Sequence, residues 1–294
     1  MDNYLDNFYE SNNLKGKVKT LLEKNYFAET SLGIISKGES FFEYLNLDFF
    51  IVFNIQNKII EYTSFESDCI VEKVVKLIYD ENNLKREEIV FDSANFMIEK
   101  TNFIYDTNMK IIECNKFRNN QILIENKKFF YNEQNQLIEI TTNNRSGKLI
   151  NTIKYKHNKF GCIEREFKDY SEDMIYTIIN KYEFNDIGLI DKKVEINKYS
   201  NNTDENRTIF IYTSDKKIII EYVNQNRKLP GYFNCYKYDK FGNITKKTIV
   251  DIDFNFIFQY EYSYIYDLNN NWTTKIEYEN SIPWLITERE ISYY

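Results

Sequence analysis

The sequence has little of what usually carries chemistry or bends a chain. Among its 294 residues are 2 prolines, 8 glycines, 4 cysteines and a single histidine. The cysteines (Cys69, Cys114, Cys162 and Cys235) lie far apart without CxxC spacing, so we expect reduced, packed thiols. A zinc site needs clustered Cys and His ligands. We therefore expect neither a metal nor any other cofactor.

Catalytic and nucleic-acid-binding patterns are also missing. There is no phosphate-binding glycine loop, nucleophile elbow or HExxH motif. The histidine, His157, stands in "YKHNKFG", where we expect an exposed turn residue. Net charge is −7, the pI is near 5.1 and no basic run occurs, whereas a nucleic-acid binder normally shows a positive stripe. These absences predict a protein that is not an enzyme and does not bind nucleic acid.

Long apolar runs are absent too. No stretch approaches the length of a membrane span. The start, "MDNYLDNFYESNNLKGK", has neither the positive n-region nor the apolar h-region of a secretory signal. The predicted location is the cytoplasm, with export as the alternative if a targeting segment was removed.

What the sequence has in quantity is aromatic residues, with 25 Tyr and 23 Phe. These types favour strands. One aromatic residue recurs just before a turn at steps of 24 to 29 residues, and we call it the anchor of its copy. The nine anchors are Phe53, Tyr79, Tyr105, Tyr131, Tyr155, Phe184, Tyr212, Tyr238 and Tyr266.

Each anchor is followed by turn chemistry. The next residue is often Asp or Asn, whose side chain can cap backbone N–H groups of a turn. Four residues after the anchor an Asn or Gly is common, and these types tolerate positive φ. The capping residues are Asn54, Asp80, Asp106, Asn132, Asn185, Asp239 and Asp267, and the positive-φ candidates are Asn57, Asn83, Asn135, Gly188, Gly242 and Asn270.

The repeat predicts an all-β fold of about nine tandem antiparallel hairpins. Because open sheets of this size twist and curl, we expect one long, curled sheet in a single domain, 1–294. Repeat arrays need atypical ends to cover their edges. Residues 1–46 are therefore predicted to cap the sheet, residues 47–280 to form the hairpins, and residues 281–294 to form a C-terminal edge strand.

The phrases "YKYDKFGNITKK", "FIYDTNMKIIE" and "FFYNEQNQLIE" resemble the tyrosine–aspartate repeats of the Rhs family. The resemblance runs from about residue 50 to the end, and the chain is also similar to uncharacterised Bacteroidetes repeat proteins. In the large Rhs and teneurin-like proteins, such repeats form a spiralling sheet around a toxin or other cargo. The resemblance implies an Rhs-like sheet and a toxin-associated role.

Two groups of residues are candidates for binding. Glu61, Glu87, Glu113 and Glu139 each stand eight residues after an anchor, and they form either a cation-attracting stripe or an ordinary solvated face. The longer links, 197–207 and 223–232, contain Tyr199, Arg207, Arg227 and Tyr232. These residue types are enriched at interface hot spots, and ordinary loop decoration is the alternative that the sequence favours.

Two functions follow. The first is a non-enzymatic protein-binding repeat module, in its more specific form an immunity or antitoxin-like partner of a toxin. The second is a surface carbohydrate-binding lipoprotein whose signal segment is missing, because aromatic rings stack on sugar faces. Another protein is thus the expected partner and a carbohydrate is the alternative.

Overall fold

The computed structural model describes residues 8, 12–41, 48–66, 70–119, 121–170, 176–199, 202–214, 217–224 and 230–294, with Tyr199 and Asn202 described by their backbone. Strands make up most of this part of the chain. In order they are β1 (Val18–Ser31), β2 (Ile34–Ser40), β3 (Phe49–Phe53), β4 (Ile59–Phe65), β5 (Val71–Tyr79), β6 (Lys85–Asp92), β7 (Met97–Tyr105), β8 (Ile111–Arg118), β9 (Ile122–Tyr131), β10 (Leu137–Asn144), β11 (Leu149–Asn158), β12 (Gly161–Asp169), β13 (Tyr176–Phe184), β14 (Ile190–Tyr199), β15 (Asn202–Tyr212), β16 (Ile218–Asn224), β17 (Tyr232–Tyr238), β18 (Ile244–Asp251), β19 (Phe256–Tyr266), β20 (Trp272–Glu279) and β21 (Ile282–Tyr293).

The strands confirm the all-β prediction, and eight of the nine anchors end their strands as the repeat predicts, whereas Tyr155 lies three residues before the end of β11. Consecutive strands pair antiparallel, for example β3 with β4 and β5 with β6. The register shifts by one residue next to the anchor, between Val52 and Phe53 in one hairpin and between Ile78 and Tyr79 in the next. Such bulges bend a strand and increase its twist.

The prediction of an open, Rhs-like sheet with two capped edges is wrong, because the first and last strands pair with each other. β1 pairs with β21 over Val18–Phe27 and with β3 over Thr20–Glu23. β2 pairs with β1 and lies outside the barrel. The other 20 of the 21 described strands form a closed antiparallel β-barrel. β21 is consequently no edge strand, and closure removes the unpaired N–H and C=O groups that an edge would expose.

The chain divides into two compact units. Unit 1 comprises Met1–Thr101, Tyr238–Lys246 and Gln259–Tyr294, and unit 2 comprises Asn102–Lys237 and Lys247–Phe258. The single-domain organisation stays a prediction.

Unit 1 contains the hydrophobic core, on the sheet face that carries the anchors. The segment before β1 contributes to this core, since Phe8 meets the ring of Phe49 edge-on at 5.6 Å between centroids. The buried members are Phe8, Leu14, Val18, Leu21, Phe49, Ile51, Phe53, Ile59, Tyr62, Val75 and Leu77. Residues from the start of the chain thus fill the inner face of the first hairpins, instead of covering an outer edge.

Unit 2 is built differently. Among its described residues, Cys114 is the one buried apolar side chain, whereas Thr142, Asn180 and Asn234 are buried polar residues. Its strands therefore depend on backbone ladders and cross-strand side-chain pairs more than on a packed apolar interior. Most of its other side chains are partly exposed on both faces of the sheet.

Candidate binding surface

The corners confirm the predicted turn chemistry. In the corner after Tyr79, Asp80 Oδ1 accepts hydrogen bonds from the N–H groups of Asn82 and Leu84, each at 2.9 Å. Asn83 has a φ of 60°, in the left-handed region. The carboxylate therefore organises the whole five-residue turn, reaching N–H groups two and four residues on.

Three of the links at the opposite ends of the strands have the same geometry as these corners. They are Asp92–Phe96, Asn144–Lys148 and Asp251–Asn255. The predicted link 197–207 is also mostly strand, because β14 runs to Tyr199 and β15 begins at Asn202.

One position in each five-residue corner requires positive φ, and the sequence usually places Asn or Gly there. Met109 (φ 62°) and Phe254 (φ 63°) are the exceptions among the described corners. A bulky side chain is disfavoured in this region, because the steric clash between its Cβ and the following carbonyl costs about 1–2 kcal/mol. The residues that follow the rule are Asn57, Asn83, Asn95, Asn135, Gly147, Gly188, Gly242 and Asn270.

The corner that contains Phe254 is also strongly apolar and exposed. We call residues 251–257 the Phe254 corner. Phe254 is 70% exposed and Phe256 is 59% exposed, and both Ile252 and Ile257 are about half exposed. Four large apolar side chains thus face solvent within six residues. Exposed apolar patches of this kind mark interaction sites more often than scattered single residues do.

Aromatic packing holds the Phe254 side chain in place. Its ring stacks on Phe233 with 5.1 Å between centroids and 10° between planes. Phe233 in turn contacts Tyr222 at 5.0 Å between centroids. Stacking of this type contributes about 0.5–1.5 kcal/mol per pair and offsets part of the backbone strain. One face of Phe254 is used by this row, and the exposed remainder of the ring is available to a ligand.

The Phe254 corner is acidic. Asp251 caps the turn, and the side-chain hydrogen bond from Asn255 is the main cause that holds the pKa of Asp251 below its usual value. Asp253 is exposed, and its carboxylate makes no hydrogen bond or ion pair with a described residue. The corner therefore presents apolar side chains beside one unneutralised carboxylate.

The structure describes the side chains of two of the four predicted binding residues, and these two lie on opposite faces of the sheet. Arg207 lies in β15 opposite Asn224, and its Nε contacts Glu205 at 2.6 Å. Tyr232 begins β17 opposite Val223. Because successive residues of a strand point to opposite faces, Arg207 shares a face with Tyr222 and the aromatic row, whereas Tyr232 lies on the other face. The side chains of Tyr199 and Arg227 fall outside the described residues.

A second cluster of titratable groups links successive corners. The hydroxyl of Tyr266 donates to Asp239 of the preceding copy, and the hydroxyl of Tyr293 donates to Asp267 in the same way. Burial and the bond to Asp239 raise the pKa of Tyr266. Burial opposes ionisation of Asp239, but the bonds from Tyr266 and Asn243 outweigh it, so the pKa of Asp239 is lowered. A weak acid bonded to a weak base is suited to holding two turns together and poorly suited to proton transfer.

Each repeated glutamate has an ion-pair or hydrogen-bond partner within the sheet, which favours the solvated face over a cation-attracting stripe. Three of them approach lysines on neighbouring strands, and the fourth accepts hydrogen bonds from two asparagine side chains. The pairs are Glu61–Lys76 (3.8 Å), Glu87–Lys100 (2.7 Å), Glu139–Lys154 (3.7 Å), Glu113–Asn115 (2.9 Å) and Glu113–Asn126 (2.8 Å).

The prediction of packed cysteines is confirmed for Cys114, which is buried, whereas Cys162 and Cys235 are partly buried and Cys69 lies outside the described residues. That the thiols are reduced stays a prediction, and the histidine prediction is wrong. His157 belongs to β11 and is partly buried, with Nε2 2.7 Å from the carbonyl oxygen of Leu137. It occupies a strand position next to the ring of Tyr155, instead of an exposed turn.

Two other kinds of site, a cleft and a metal site, have less support in the structure. A cleft of about 390 Å³ lies at the first two corners, but the capping groups that line it, Asn54 and Asp80, already bond their own turns. The described residues contain no group of three or more His, Cys, Asp or Glu side chains that could hold a metal ion. Within the same part of the chain, no helix has the length and apolar character needed to cross a membrane.

The sequence contained a signal for the Phe254 corner that was missed. "DIDFN" from Asp251 has the spacing of "DKFGN" from Asp239, with Phe in place of Gly at the fourth position. A search for Asp-x-x-Gly or Asp-x-x-Asn finds corners that obey turn chemistry. Two described corners depart from it, at Met109 and Phe254, and the Phe254 corner is the functional candidate.

No protein-family model matches the chain, and no curated protein matches it. Among solved structures, the chain is similar to a porin-like protein from Bacteroides uniformis ATCC 8492 (9% identity, 95% of this chain and 98% of that chain, TM-score 0.38). It is also similar to a porin-like protein from Bacteroides vulgatus ATCC 8482 (11%, 95% and 99%, TM-score 0.29). A third similar structure is the TcdB2–TccC3–Cdc42 complex (9% identity, TM-score 0.33), in which 85% of this chain matches 16% of that chain.

All three TM-scores lie below 0.5, so the function proposed below rests on the chain's own residues. The tyrosine–aspartate repeat family stays a prediction, and these comparisons do not support the predicted cytoplasmic location.

Proposed function

We propose that this chain is a non-enzymatic protein-binding module that holds its partner through the Phe254 corner. One observation carries the proposal: Phe254 occupies a backbone position that favours Asn or Gly, and its side chain is 70% exposed. Folding alone favours a small or polar residue there. Departures from local folding rules of this kind tend to occur at functional sites.

A protein fits this surface better than a carbohydrate does. Interface hot spots are enriched in rigid aromatic side chains, and Phe254 is held rigid by its stack on Phe233. A sugar-binding platform needs flat rings, but Ile252 and Ile257 add branched aliphatic groups to the corner. The carbohydrate alternative stays a prediction, and no arrangement of the described side chains favours it.

The more specific form of the proposal, an immunity or toxin-associated partner, is supported by the repeat resemblance alone. Export of the chain is compatible with the same binding surface, because the corner would function in either compartment.

The test is site-specific photo-crosslinking in the cell that produces the protein. Phe254 is replaced by p-benzoylphenylalanine, whose shape approximates the native ring. Leu268, which is fully exposed in a corner of unit 1, receives the same substitution as a matched control. We expect irradiation to join one defined protein to position 254 and not to position 268, and mass spectrometry of the adduct identifies it.

A second variant separates binding from folding. Phe254→Asn restores the preferred turn residue, so relief of strain and loss of stacking should nearly cancel, and the urea midpoint should change little. The affinity for the crosslinked protein should fall at least tenfold, measured by titration calorimetry. Equal crosslinking at both positions, or full affinity in Phe254→Asn, would contradict the proposal.

A further inference from the structure

Resting on the proposed function, we infer the chemistry of the partner: a protein with a concave apolar pocket and a lysine or arginine at its rim. Phe254 enters the pocket and Asp253 pairs with the cation. The inference follows from which groups of the corner remain available after the turn has formed.

The turn itself uses the N–H donors of the corner. The N–H of Asp251 donates to the carbonyl of Asn255 (3.0 Å), and the N–H of Phe254 donates to the carbonyl of Asp251 (3.1 Å). The N–H groups of Asp253 and Asn255 donate to Asp251 Oδ1 at 2.9 and 2.8 Å, and Asn255 Nδ2 donates to Asp251 Oδ2. With these donors occupied, the corner is poorly suited to bind phosphate, carboxylate or another hydrogen-bond acceptor.

The remaining groups are apolar side chains and an acid. Ile252, Phe254, Phe256 and Ile257 gain free energy by leaving water, which requires an apolar surface on the partner. Phe254 stands at the turn of a hairpin, so a pocket buries its ring better than a flat surface does. The carboxylate of Asp253, one residue away, would lose hydration on binding unless a cation replaced it.

Charge also distinguishes a protein pocket from an anionic bilayer. Asp251 and Asp253 both lie in the corner, and the chain carries a net charge of −7. Anionic lipid surfaces attract basic segments and repel acidic ones. A protein pocket with a basic rim satisfies the apolar side chains and the carboxylate together.

The experiment uses the full chain and the protein that crosslinks to position 254. Asp253→Lys reverses the charge without touching the side-chain bonds of the turn. Asp186→Lys, at an exposed corner position elsewhere in unit 2, is the matched control. We expect Asp253→Lys to weaken binding roughly tenfold, and to remove most of the salt dependence of the association rate, whereas Asp186→Lys leaves both unchanged.

Two outcomes would overturn the inference, and the first of them leaves the proposed function intact. The first is loss of binding in Phe254→Asn with unchanged affinity in Asp253→Lys, since the partner would then lack the rim cation. The second is Phe254-dependent co-sedimentation with phosphatidylcholine vesicles, or with phosphatidylcholine–phosphatidylglycerol vesicles, since a lipid surface would then be the apolar partner. Failure of the proposed function itself would show as loss of selective crosslinking at position 254.

Discussion

The anchor hydroxyl gives single residues a role that aromatic packing alone does not explain. Tyr266 donates to the carboxylate of Asp239, and Tyr131 donates to the backbone carbonyl of Ile111 at 2.8 Å. In both cases the acceptor belongs to the preceding hairpin. A tyrosine at the end of one strand thus bonds the preceding hairpin, either at the capping carboxylate of its corner or at a backbone carbonyl of its return strand.

The two hydroxyls should therefore contribute differently to the free energy of unfolding, because one acceptor is charged and the other is neutral. Tyr266→Phe leaves the Asp239 carboxylate without this donor, and hydrogen bonds to charged groups contribute about 2 kcal/mol. Tyr131→Phe removes a bond to a neutral carbonyl, for which about 1 kcal/mol is expected. Urea unfolding of both variants measures the difference. Equal losses would show that the charge on Asp239 adds nothing to the contact.

At the scale of elements, the sequence was informative wherever the controlling contacts are local. The spacing from Asp80 to Asn83 predicts a capped corner because both groups act within five residues. The same reasoning missed Asp251–Asn255, where Phe254 replaces the usual Asn or Gly. It also assigned Arg207 to a long link, although "NTDENRTIFIY" pairs along its length as β15, where polar residues without an alternating pattern precede the apolar ones.

Two glycines separate backbone strain from steric contact in these corners. Gly147 and Gly188 share a φ of 81°, but an added Cβ meets nothing within 4 Å at Gly147 and a ring carbon of Phe160 at 3.2 Å at Gly188. We expect Gly147→Ala to lose about 1 kcal/mol from strain and Gly188→Ala roughly 2 kcal/mol from strain and crowding. Chemical denaturation distinguishes them. A greater loss at Gly147 would mean that the crowding contact is unimportant.

At the scale of the whole molecule, closure could not be predicted from the repeat. β1 has neither an anchor nor a corner of the nine-copy type, so its pairing with β3 and β21 leaves no periodic trace. The partner strand β21 is more than 250 residues away, and such pairings depend on side chains that match only in the folded chain. Tyr293 was missed as a tenth anchor for the same reason, although it lies 27 residues after Tyr266 and bonds the preceding corner.

The seam between the first and last strands contains a buried ion pair whose removal should be costly. Arg289 Nε lies 2.8 Å from Glu23 Oε2, and the side chains are 3% and 15% exposed. Asn12 accepts a further hydrogen bond from Arg289, and the guanidinium lies 3.5 Å from the centre of the Trp272 ring. Arg289→Met leaves Glu23 buried without its partner, so about 3 kcal/mol should be lost.

The matched variant is the double substitution Glu23→Leu with Arg289→Met, which removes both charges. Replacing a buried ion pair with apolar residues is often close to neutral, so most of the loss should be recovered. A double-mutant cycle from urea unfolding gives the coupling energy. Additive losses would indicate that the two side chains do not act as a pair.

Closure also changes what the C-terminal strand does when it is removed. Deleting residues 281–294 from an open sheet would uncover one strand, but here it uncovers both β20 and β1. Two unpaired edges are templates for aggregation, so the truncated chain should form large species in light scattering at micromolar concentration.

A synthetic peptide of residues 281–294 added during refolding should restore a soluble complex, because it can pair with both edges at once. The same peptide with proline at Ile286 loses a backbone donor and should fail. A truncated chain that stays monomeric with an unchanged urea midpoint would show that β21 does not close the sheet.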